Sequence, residues 1–82
     1  MRTIEELTVA VNQNIEQFRH IFETWGKGKG EEYQALWREL DMLEQELIEQ
    51  SGSWNAAHLI IGAAYKRVFF EYLPQAASLE HL

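Results

Sequence analysis

The stretch from Trp54 to Leu73 reads as a helix with apolar side chains on nearly its whole circumference, in a chain of only 82 residues. One stripe is Trp54, Ala57, Ile61, Ala64, Tyr65, Val68 and Tyr72; a second, roughly opposite, is Leu59, Ala63, Phe70 and Leu73, interrupted by Lys66. A helix of this kind needs cover on two sides. Two partner helices from the same chain can bury the first stripe, and little polypeptide is then left for the second. The pattern predicts that a second molecule covers it. The alternative cover is the C-terminal tail, with Leu79 and Leu82 folding back.

The two partner helices are legible upstream. Thr3-Ile4-Glu5-Glu6 has capping-box spacing, with the threonine hydroxyl accepting from a first-turn amide while Glu6 reaches back. A stripe of Ile4, Leu7, Val11, Ile15, Phe18, Ile21, Phe22 and Trp25 follows, until Gly26-Lys27-Gly28-Lys29-Gly30 ends it. The second helix carries Tyr33, Leu36, Trp37, Leu40, Leu43, Leu47 and Ile48 and stops at Ser51-Gly52-Ser53, where Ser53 caps the third. Pro74 ends that one, because a helix-interior proline loses a hydrogen bond and clashes one turn back.

Short connections make consecutive helices antiparallel neighbours. The expected fold is therefore all-α: an up-down-up three-helix bundle in one domain, 1–82, with helices at about 4–25, 31–50 and 54–73 and a tail at 74–82. It is expected to associate through the third helix into a dimer. A variant architecture takes two long helices from each of two chains as a four-helix core, with the third crossing between subunits. A domain of this size buries only about 60 to 65% of its unfolded surface, so association adds needed stability. The three tryptophans, Trp25, Trp37 and Trp54, lie on the stripes and are expected as core anchors.

Two polar residues fall inside these stripes. Asn14 lies on the first helix's apolar face, and Glu44 lies between Leu40 and Ile48 on the second's. Folding about the glycine-lysine loop brings position 14 level with 43 and 44, and folding about Gly52 brings 58–61 to that level. The expectation is a buried cluster of Asn14 and Glu44 with His58 as a candidate third member, to which Tyr65 could add a hydroxyl. A lone carboxylate in an apolar core costs several kcal/mol unless it is hydrogen-bonded or protonated, which is what favours a partnered cluster there. The plainer alternative is a register-fixing contact with Glu44 tilted out to water.

Reaction chemistry finds no foothold. Cysteine is absent, which removes disulfides and thiolate metal sites, and an intracellular, cytoplasmic location is the simplest reading. Only His20, His58 and His81 are available as histidine ligands, widely separated, and no Glu-x-x-His pair of the di-iron kind occurs within a helix. No glycine-flanked serine elbow is present, and the glycine-lysine loop lacks phosphate-loop spacing. No catalytic residue, metal or cofactor is assigned. The apolar run from Ala56 to Tyr65 is too short to span a bilayer, so no membrane is expected either.

Charge points to partners instead. A net charge of −6 disfavours direct nucleic-acid binding, which needs lysine and arginine against phosphates. The second helix concentrates Glu31, Glu32, Glu39, Asp41, Glu44, Glu46 and Glu49. Of these, Glu39, Asp41, Glu46 and Glu49 are the expected contact for a basic protein, and Leu59, Ala63, Lys66, Phe70 and Leu73 the expected self-association surface. The expected function is a non-catalytic, homodimeric interaction module: an adaptor, a regulatory subunit or an inhibitor. Two alternatives belong to other classes. One is an acidic inhibitor whose carboxylates imitate nucleic acid and block a basic nucleic-acid-binding protein; the other is a metal- or cofactor-binding bundle.

Overall fold

The structure, a computed structural model, describes residues 2–25 and 29–70. Among these the regular elements are three helices, α1 at Ile4–Glu23, α2 at Lys29–Ser51 and α3 at Trp54–Phe70, each packed against the other two. Leu73 of the expected association surface, Tyr72 of the first stripe and the tail lie outside the described residues.

The helix ends follow from local chemistry. Thr3 caps α1: its hydroxyl accepts from the Glu6 amide at 3.1 Å, and the Glu6 carboxylate accepts from the Thr3 amide at 3.0 Å. α1 ends at Glu23, two residues short of expectation, where the Thr24 hydroxyl and amide both donate to the His20 carbonyl. α2 begins earlier than expected, taking in Lys29 and Gly30. Lys29 Nζ reaches Glu32 at 3.2 Å, and Glu31 and Glu32 suit the positive end of the helix dipole, which offsets the poor helix propensity of Gly30. Gly52 closes α2 with φ +79° and donates its amide to the Ile48 carbonyl at 2.8 Å, a left-handed cap. Ser53 then accepts from the Ala56 amide at 2.9 Å and starts α3.

The core is built from Leu7, Val11, Ile15, Phe18 and Ile21 of α1 with Leu36, Leu40, Leu43 and Leu47 of α2. α3 adds Ala57, Ala64 and Val68. The third helix thus turns its small residues inward, while Trp54, Leu59, Tyr65 and Phe70 stay exposed. The expected inward stripe is therefore only half realised. Ala57, Ala64 and Val68 face the core with Ile61 against it, whereas Trp54 and Tyr65 stand to one side. The tryptophans are not core anchors: Trp25, Trp37 and Trp54 are 57, 45 and 59% exposed.

The α1–α2 register also differs from the expected one. Phe18 meets Tyr33 and Trp37, Asn14 meets Leu36, and Arg2 meets Glu46. The hairpin pivots nearer Trp25, because α1 stops early and α2 starts at Lys29. On the other side Arg67 of α3 bonds Asn12 and approaches Glu16 of α1 at 3.9 Å.

Candidate functional site

An aromatic cleft lies between α2 and α3, with α1 as its floor. Its volume is about 560 Å³. Ile15, Phe18 and Phe22 form the base; Tyr33, Trp37, Leu40 and Glu44 form one wall; His58, Ile61, Gly62, Tyr65 and Phe69 form the other. Phe18 holds the aromatic group together, with Tyr33 edge-on at 5.7 Å, Trp37 at 5.3 Å and Phe22 at 6.4 Å. Phe22 continues to Phe69 at 6.0 Å, and Phe69 stacks on Tyr65 at 4.7 Å. Edge-to-face and offset contacts of this kind favour the observed tilts and keep the rings ordered while leaving their outer edges open.

The polar end of the cleft is Glu44 with His58. The His58 Nε2 lies 3.5 Å from a Glu44 carboxylate oxygen, and the imidazole stacks on Trp54 at 3.8 Å. That nitrogen is buried and makes no hydrogen bond among the described residues. Asp41, exposed, follows Trp37 by four positions and precedes Glu44 by three, so it shares their edge of α2.

Of the expected polar cluster, then, the structure joins Glu44 to His58 and leaves Asn14 apart. Asn14 is 0% exposed and donates to the Leu36 carbonyl at 3.1 Å, about two turns of α2 away from Glu44. The displaced α1–α2 register is the reason. Tyr65 stacks on Phe69 and gives no hydroxyl to the cluster.

The expected association residues Leu59, Ala63, Lys66 and Phe70 share the outward side of α3, all exposed. Leu59 and Ala63 also line a crevice of about 310 Å³ against Thr8 and Asn12 of α1. The four acidic residues are spread around α2. Glu46 pairs with Arg2, Glu39 lines a crevice against Gln17 and His20 of α1, Asp41 is exposed one turn on from Trp37, and Glu49 is exposed.

Sequence reasoning placed Phe22 in the buried stripe of the first helix and Tyr33 and Trp37 in that of the second, and so missed the cleft. A signal was present: the apolar arc of α2 spans Leu36 round to Ile48 and is wider than one partner helix covers.

No family model, curated protein or solved structure matches this chain. Among the described residues no helix is long and apolar enough to cross a membrane, and no three histidine, aspartate or glutamate side chains converge as a metal site would require.

Proposed function

We propose that this chain is a non-catalytic protein–protein interaction module that works as a homodimer through α3. The observation that carries the reading is the inversion of α3: its core-facing positions are alanine and valine, while Leu59 and Phe70 are 74 and 64% exposed on the outward side. Burying a large apolar side chain is worth ~1.5 to 3 kcal/mol, so leaving both in water forgoes several kcal/mol that a second copy recovers. Ala63 between them lets a helix approach closely. A two-fold pairing repeats every such contact twice.

Charge supports a second copy as occupant. α3 has Lys66 and Arg67 and no acid among its described residues, whereas α2 has seven acids against Lys29 and Arg38. Lys66 has no ion-pair partner among the described residues, so an acidic α2 from a neighbouring subunit completes it. Adaptor, regulatory subunit and inhibitor are all roles that such a module performs by occupying a surface.

Size-exclusion chromatography with light scattering tests the reading. The expected result is a dimer at micromolar concentration that Phe70→Asp converts to monomer while the helical circular dichroism persists. A monomeric mass at every concentration rejects it.

A further inference from the structure

We infer that the aromatic cleft between α2 and α3 is a docking site for one amphipathic helix of a partner protein, with a lysine or arginine of that helix seated against Glu44 and Asp41. This goes beyond self-association and concerns a different face of α3, so it holds whether or not the outward stripe pairs.

Shape comes first. The walls run from Tyr33 to Glu44 on α2 and from His58 to Phe69 on α3, in each case about 16 Å at the α-helical rise. A trough of that length, floored by Phe18 and Phe22 of α1, has the form of a four-helix bundle that lacks one helix. About three turns of an amphipathic helix fill it with a single apolar stripe, the helix-in-groove mode of recognition. Exposed Trp37 and Tyr65 stand on opposite walls as the large, rigid anchors such interfaces favour.

Charge then selects the occupant. No lysine or arginine lines the cleft, and its charged wall group is the half-buried carboxylate of Glu44, with Asp41 on the same edge. The unbonded His58 Nε2 sits beside it. A cationic side chain crossing Trp37 packs its apolar stem on the indole and makes an ion pair at its tip. Two copies of the cleft set face to face bring no lysine or arginine to either Glu44, which argues against that pairing. An acidic helix is repelled.

Gly62 provides a test that spares the fold. It lines the cleft wall, and a Cβ built there meets nothing within 4 Å, so Gly62→Leu obstructs the trough from inside a helix without displacing a core residue. The probe is a synthetic helical peptide of about 15 residues with one leucine stripe flanked by lysines, alongside a twin flanked by glutamates. Titration of the full chain, followed by nuclear magnetic resonance at the Trp37 indole N–H, is expected to show saturable binding of the lysine peptide that weakens with added salt. Binding should fall at least tenfold in Gly62→Leu and in Glu44→Gln, and at least tenfold for the glutamate twin. Equal binding of both peptides, no saturation with either, or full affinity in Gly62→Leu overturns the assignment. So does a native dimer that Gly62→Leu splits, since that makes the second copy the occupant. A chain that binds the lysine peptide as a monomer refutes the dimer and leaves the docking site standing.

Discussion

The side-chain amide of Asn14 donates to the backbone carbonyl of Leu36 at 3.1 Å, at a position with no exposure to water, while its own carbonyl oxygen finds no partner among the described residues. A single neutral bond is therefore this buried side chain's one partner among the described residues, at the level where α1 meets α2. Replacing Asn14 with aspartate exchanges the amide donor for a buried carboxylate facing a carbonyl. Burial raises that aspartate's pKa, so its penalty is present above the folded value and fades as pH falls through it, when the protonated acid again has a donor for Leu36. Asn14→Asp should lose about 3 kcal/mol at pH 7 and regain part of it near pH 4. Urea denaturation at the two pH values measures this. Equal losses at both would mean that the site is open to water.

The α1 cap gives a second pH-dependent expectation. The Glu6 carboxyl is held below its ordinary range, first by the Thr3 backbone amide and then by the Thr3 hydroxyl. A depressed folded pKa means stability that is present above the unfolded glutamate value and is lost as pH falls through the folded one. Glu6→Gln keeps the capping geometry and removes the charge, so its difference from wild type should be visible at pH 7 and vanish in acid. Thr3→Ala, which removes the hydroxyl acceptor itself, should cost about 1 kcal/mol in denaturation experiments.

How far these features can be read from the chain depends on range. Caps and breaks are local, and Thr3, Ser53 and Gly52 all behave as their neighbours in sequence require. The Glu44–His58 proximity was legible because the turn at Gly52 is tight and leaves one register for α2 and α3. Asn14 was misplaced because the level at which α1 meets α2 depends on where the two helices end and begin; α1 stops at Glu23 and α2 starts at Lys29, and no periodicity argument contains those bounds. The cleft was illegible for a related reason. Periodicity says that Trp37 and Phe22 are apolar-faced, but whether a face is covered depends on how far apart two neighbouring helices stand.

Two glycines separate backbone strain from side-chain space. A Cβ at Gly52 or at Gly62 meets nothing within 4 Å, yet Gly52 alone has positive φ, at 79°. Gly52→Ala should destabilise by about 1 kcal/mol, because an L-residue pays for the left-handed conformation. Gly62→Ala, inside α3 with ordinary helical geometry, should stabilise by about 0.5 to 1 kcal/mol through helix propensity alone. Thermal unfolding of the two variants moves in opposite directions if this reasoning holds. A shared sign would show that α3 tolerates glycine for a packing reason.

The cleft's floor and rim should respond differently to truncation. Phe18 is buried and touches Phe22, Tyr33 and Trp37, so Phe18→Ala opens a cavity beneath all three and should cost about 3 to 5 kcal/mol. For a domain whose total stability is of order 5 to 15 kcal/mol, that loss brings it close to unfolding. Trp37, almost half in water, packs one edge on Phe18 and Tyr33; Trp37→Ala should cost only about 1 to 2 kcal/mol and leave the helical signal intact. A large indole held at low structural return is what a docking surface needs. Equal losses for the two substitutions in urea denaturation would instead make Trp37 a structural residue and strip the cleft of its principal anchor.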